Sequence, residues 1–169
     1  MKTLILGGIR SGKSRLAEQL AKDSGKQVSY IATASAGDEE MQERIHRHQQ
    51  RRPEHWQLIE EPLYVSRALE KCPQNSCILL ECLTLWLLNC LTHSDSDFYI
   101  TQRNLLLKRL QCIENNLIVV SNETNMGVVP MGELSRRYCD EAGLIHQELA
   151  LFFDRVILVV AGLPQIIKG

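Results

Sequence analysis

The 169-residue sequence predicts an α/β protein, a three-layer arrangement with a mainly parallel sheet and helices on both faces. Three observations predict it. Runs such as "TLIL", "CILL" and "LIVV" are apolar at every position, as strands buried on both sides are. Longer segments between them carry apolar residues at helical spacing. Strand and helix alternate along the chain.

Each element has its own warrant. Thr3 to Leu6 reads as a buried strand, followed by a glycine-rich turn. The helix "KSRLAEQLAKDSG" puts Leu16, Ala17, Leu20 and Ala21 on one face and ends at Gly25. Gln27 to Thr33 is a second strand. Asp38 is an N-cap for a helix carrying Met41 and Ile45, which Pro53 ends at Arg51 or earlier. "WQLIEE" is a short strand, with a helix after it near Tyr64 to Lys71. Ser76 to Glu81 is a clear strand and Thr84 to Leu91 a buried helix; the polar run Thr92 to Asp97 links it to a helix from Tyr99 to Glu114. "LIVVSNE" is the next strand, and a loop with Gly127, Pro130 and Gly132 precedes a long helix from Glu133 to Phe152. "RVILVVAG" closes the pattern as the last strand.

Composition limits the function. The formal charge is -1, so a polyanionic partner such as nucleic acid has nothing global to hold it. Six cysteines contain no C-x-x-C pair and read as free thiols of a reducing compartment. "MKTLIL" stops at Gly7-Gly8, too early for a secretion signal, and "LTLWLLNCL" is about half a membrane span. The expectation is one soluble, cytoplasmic domain, residues 1–169, with no integral membrane segment.

The chemistry starts at "GGIRSGKS", Gly7 to Ser14, which fits G-x-x-x-x-G-K-[ST] between a buried strand and a helix. Backbone N–H groups of Gly7, Gly8, Ile9, Arg10, Ser11 and Gly12 can wrap phosphates, with the helix N-terminus adding positive charge. Lys13 can reach the β- and γ-phosphates, and the Ser14 hydroxyl can take a place on Mg²⁺. This predicts a P-loop NTPase, RecA-like, binding a nucleoside triphosphate such as GTP or ATP. Glu81 ends an apolar strand and is the candidate metal acid, against the alternative of a water-exposed residue at a sheet edge; Glu123 is a second candidate.

A second feature is "ERIHRHQQRRPEHW", Glu43 to Trp56, with four arginines and three histidines. On a helix Arg44, His48 and Arg51 share a face, and His46 does not. A solvated basic face is one reading; a metal site fails because H-x-H splays its imidazoles, and a single-strand nucleic-acid site lacks aromatics. The remaining reading joins this helix to the phosphate loop. Arginines nearby keep His48 neutral, and a neutral imidazole beside phosphorus is a nucleophile.

"GGIRSGKS", "YIATA", "RIHRHQQRRPEHW", "LLECLTLWLLN", "VVSNETNMGVVP" and "VVAGLPQIIK" occur in that order across nearly the whole chain. In this the sequence resembles the bifunctional adenosylcobinamide kinase/adenosylcobinamide-phosphate guanylyltransferases of cobalamin biosynthesis. The resemblance implies two activities on adenosylcobinamide and adenosylcobinamide phosphate, with GTP, ATP and Mg²⁺. It implies that a histidine carries GMP covalently, and the R-I-x-x-H spacing places it at His48. Nucleotide contacts would fall on Gly7 to Ser14, Ala32, Thr33, Ala34, Gln49, Gln50, Arg51, Arg52, Glu60 and Glu81. It also implies a small antiparallel extension of the sheet and a homotrimer. One departure stands out: Thr124-Asn125 follow Asn122-Glu123 where the family reads Val-Gly, and asparagine's tolerance of positive φ is the expected compensation.

Overall fold

A computed structural model describes residues 1–35 and 53–169. The helix expected after Asp38 falls outside them, as do His46, His48, Gln49, Gln50, Arg51 and Arg52. Seven strands form one sheet: β1 (Lys2–Gly7), β2 (Val28–Ala32), β3 (Gln57–Glu60), β4 (Cys77–Glu81), β5 (Asn116–Asn122), β6 (Arg155–Val160) and β7 (Leu163–Lys168). Their spatial order is β3-β2-β4-β5-β1-β6-β7. Pairings are parallel from β3 through β6, and β7 is antiparallel to β6.

The apolar runs sit where the pattern predicts. On one face Leu4, Leu6, Ile78, Leu80, Leu117 and Val119 meet helices α2 (Val65–Glu70), α3 (Leu83–Leu91), α4 (Phe98–Cys112) and α5 (Glu133–Phe152). On the other, Ile5, Leu79, Ile118 and Val120 meet Ala17 and Ala21 of α1 (Lys13–Asp23), together with Trp56. The period of two along each strand feeds two cores, so every strand position needs an apolar residue.

α3 is apolar almost all round because it is buried; its Trp86 indole N–H donates to the Leu63 carbonyl at 2.9 Å. α4 and α5 are clasped by the Tyr99 hydroxyl donating to Glu141 at 2.8 Å and by the Arg103–Glu148 ion pair.

β1 delivers the chain to α1 on one face, whereas β4 and β5 deliver it to helices on the other. The carboxyl ends of β1 and β5, which are neighbours, therefore flank a switch point, where open α/β sheets form a crevice. The strand expected last is not the last. After β6 the chain turns through Ala161 (φ 51°) and Gly162 (φ 81°), the signature of a two-residue type I′ hairpin, into β7. All six residues of β7 are exposed, so no burial pattern marked it.

Candidate phosphate-binding and transfer site

The loop from Gly7 to Ser14 is shaped by close approaches. A Cβ on Gly7 would lie 2.5 Å from the Ser11 Oγ and 2.7 Å from the Val159 carbonyl, so only glycine fits. The Ser11 N–H donates to the Gly8 carbonyl at 3.2 Å, and Arg10 takes φ 57°. Gly12, at φ 97°, turns the chain into α1. The Lys13 ammonium folds back on the loop and donates to the Gly8 carbonyl at 3.1 Å. Burial lowers its pKa from the ordinary lysine value, with Cys82 and Glu81 pulling it back up. Incoming phosphates would supply the negative charge that this ammonium lacks. Ser11 Oγ is buried and without a hydrogen-bond partner among the described residues.

The β6–β7 turn buttresses this loop. The Gly162 N–H donates to the Ser11 carbonyl at 2.8 Å, and a Cβ on Gly12 would come within 3.2 Å of the Gly162 Cα. Gly12→Ala would thus add a backbone clash to a left-handed conformation that costs a side-chain-bearing residue about 1–2 kcal/mol. A fall in thermal midpoint of at least about 2–4 °C is expected for a chain of this size, with weaker ATP binding by calorimetry.

The acid expected to be exposed or metal-bound is resolved in position. β4 is a central strand, and Glu81 is only 9% exposed, which removes the sheet-edge alternative. Its Oε2 accepts from the Tyr30 hydroxyl at 2.9 Å, a contact that nothing in the sequence marks. Ala32 pairs in register with both Glu81 and Glu60, lining the three along one rim, with Glu60 exposed. Thr33 is clasped beside them: its hydroxyl donates to the Cys82 carbonyl at 2.6 Å and accepts from the Cys82 N–H at 2.8 Å. Asn89 Nδ2 donates to the Thr33 carbonyl at 3.0 Å, and Ala34 follows half-buried.

Among the described residues no three His, Cys, Asp or Glu side chains gather into a metal cage. A serine hydroxyl and one carboxylate are nevertheless a fitting donor set for Mg²⁺, which takes one or two protein oxygens and completes its shell with water and phosphate. All six cysteines are free, as their spacing predicts.

The expectation for Asn125 needs correction. It does not adopt positive φ; its side chain instead donates to the Cys139 carbonyl on α5 at 3.0 Å, and its N–H donates to Glu123 Oε1 at 2.7 Å. The loop is held by side-chain hydrogen bonds rather than by a left-handed residue.

Sequence reasoning also passed over His146. Its imidazole is buried, with Nε2 2.8 Å from the Ser121 Oγ and Nδ1 4.0 Å from Glu123 Oε2. Burial lowers its pKa, and Glu123 partly offsets this. The unfolded chain then binds a proton that the folded one resists, so stability is full above the unfolded value of about 6.5 and declines as pH falls from there toward the folded pKa. His146→Asn should flatten the fall of thermal midpoint between about pH 7 and 5.5 relative to the unmodified protein; equal slopes would refute this.

The fold and loop together define a P-loop NTPase-like α/β protein. A solved protein of Pyrococcus horikoshii OT3 shares the fold, at TM-score 0.56 and 9% identity over 99% of this chain and 86% of that one. The chain itself belongs to the family described as cobinamide kinase / cobinamide phosphate guanyltransferase, whose profile matches residues 3–167. It is 54% identical, over 100% of this chain and 98% of the relative, to the bifunctional adenosylcobalamin biosynthesis protein CobP of Pseudomonas aeruginosa. CobU of Escherichia coli and CobU of Salmonella typhimurium, both named bifunctional adenosylcobalamin biosynthesis proteins, are each 37% identical over 99% of this chain and 100% of their own length. Among the described residues no helix is long and apolar enough to cross a membrane.

Proposed function

We propose that this chain is a single-domain enzyme that phosphorylates adenosylcobinamide and then guanylylates the product. In the first reaction the hydroxyl of the acceptor's aminopropanol arm attacks the γ-phosphorus of ATP or GTP, and the nucleoside diphosphate leaves. Loop N–H groups orient the triphosphate, and Lys13 takes up charge on the transferring group. Ser14 and Glu81 would hold Mg²⁺, which when bound offsets phosphate charge.

In the second reaction the His48 imidazole attacks the α-phosphorus of GTP and pyrophosphate departs. Adenosylcobinamide phosphate then attacks that phosphorus and the N–P bond breaks, giving adenosylcobinamide-GDP. One loop serves both reactions, because the phosphates it grips are the donor in the first and the leaving group in the second. Ala32 to Ala34, Gln49 to Arg52, Glu60 and Glu81 are the proposed nucleotide contacts.

The observation that carries this reading is the buried Lys13 ammonium folded onto Gly8, beside Glu81 at the carboxyl rim of a parallel sheet, in a chain of this family. Incubation with [α-³²P]GTP, peptide mapping, and then addition of adenosylcobinamide phosphate test it. Label on the peptide bearing His48 that chases into the corrinoid is expected. Phosphorylated cobinamide with no covalent nucleotide would reduce the protein to a simple kinase.

The proposal extends to a homotrimer in a reducing cytoplasm, which the free thiols suit. Supporting assembly are exposed apolar side chains at Val128, Val129 and Met131 and along β7 at Leu163, Ile166 and Ile167. Sedimentation equilibrium reads the state directly.

A further inference from the structure

Resting on the phosphoryl-transfer reading above, we propose that Glu123 is the acceptor-side catalytic residue, which receives the proton of the attacking hydroxyl, and that His146 is its positioning residue. Glu123 stands at the switch point. It follows Asn122, the register partner of Gly7, and its N–H donates to the Gly7 carbonyl at 3.0 Å. The backbone of Glu123 is therefore joined to the start of the loop that would grip the donor.

The residues that follow it, Thr124 and Asn125, line a cleft of about 580 Å³ together with Val128, Pro130, Cys139 and Leu144 among others. Apolar and amide-bonding groups are mixed there, as a large amide-fringed acceptor would require. The Glu123 side chain is largely buried yet retains some exposure, so a substrate hydroxyl can reach it.

The second observation is the chain of polar groups behind the carboxylate. The Asn122 N–H donates to the Thr84 Oγ1 at 2.7 Å, Thr84 Oγ1 lies 3.2 Å from the Ser121 Oγ, and Ser121 Oγ lies 2.8 Å from His146 Nε2. Each of these contacts between side chains can run in either direction; in the direction the proposal needs, Thr84 donates to Ser121, and Ser121 donates to Nε2. The imidazole N–H is then on Nδ1, facing Glu123 Oε2 at 4.0 Å, while Oε1 accepts from the Asn125 N–H. A histidine present only to fill the core has no need of a second nitrogen facing a carboxylate. Here the chain of polar groups fixes the imidazole behind that carboxylate, with Nδ1 turned toward Oε2.

In the step itself the acceptor oxygen forms a bond to the γ-phosphorus as the bridging P–O bond breaks. The nucleoside diphosphate departs with that electron pair, and the hydroxyl proton passes to Glu123.

The test uses the full chain with cobinamide, [γ-³²P]ATP and Mg²⁺, and thermal midpoints recorded for each variant. Glu123→Gln should lower kcat for labelled cobinamide phosphate by about 10²-fold, with KM for cobinamide within about threefold of the unmodified protein. His146→Phe should lower kcat by about tenfold, and His146→Asn, which restores an N–H toward Glu123, should recover most of that loss. If Glu123→Gln does not accumulate folded, Glu123→Asp is read in the same way. A kcat within threefold for the Glu123 variant, or equal activity of the two His146 variants, overturns the assignment. Absence of any phosphoryl transfer to cobinamide by the unmodified protein instead sinks the kinase reading on which the assignment rests.

Discussion

His48→Ala should abolish covalent guanylylation, leaving less than about 1% of the protein-bound label obtained from [α-³²P]GTP, whereas His46→Ala should retain it. The two histidines belong to one "HRH" triplet, so composition and local charge are the same for both. What separates them is periodicity. On a helix His48 shares its face with Arg44 and Arg51, which can gather phosphate oxygens while the imidazole meets phosphorus. Without a nucleophile the α-phosphorus has no group to accept it, and covalent catalysis is lost rather than slowed. The bond formed should behave as a phosphoramidate, labile in acid and stable in base. Label lost in His46→Ala and kept in His48→Ala would reverse the assignment. Transfer of the γ-phosphoryl to cobinamide should persist in His48→Ala, because that reaction needs no imidazole nucleophile.

Lys13→Ala should reduce both activities by about 10²–10³-fold, the loss typical of removing one preorganised charge from a transferring group. Its position explains why both fall. Lys13 is 9% exposed, its ammonium is drawn back to the Gly8 carbonyl, and it lies close enough to Glu81 to feel its charge. A cation held in that way is already oriented before nucleotide arrives, so it stabilises developing charge without first reorganising. The two substitutions make different patterns: His48→Ala separates the reactions and Lys13→Ala does not. Measuring γ-phosphoryl transfer and α-label on both variants gives four readings, and only one pattern of them matches a shared loop with a separate nucleophile. Retention of either activity by Lys13→Ala within about threefold would remove the loop from that reaction.

The sequence by itself determined the layers and the place of the loop. Strands such as Cys77–Glu81 are apolar at every position because both faces are covered, and this is written in consecutive residues. Gly7, Gly12 and Lys13 are legible because they stand at the fixed spacing of a phosphate loop within eight consecutive residues, and Glu81 because it ends a strand. Only the tertiary structure decided the rest. β7 has no buried side chain, so it left no pattern, and its pairing with β6 comes from backbone hydrogen bonds that are blind to residue type. Gly162 reaches the phosphate loop across 151 positions of chain through its N–H to the Ser11 carbonyl. Tyr30 meets Glu81, and His146 meets Ser121 and faces Glu123, because the order of strands brings them together. Burial and periodicity act between neighbours in sequence and can be read from them. A contact between distant segments depends on strand order and register, which exist only once the chain has folded.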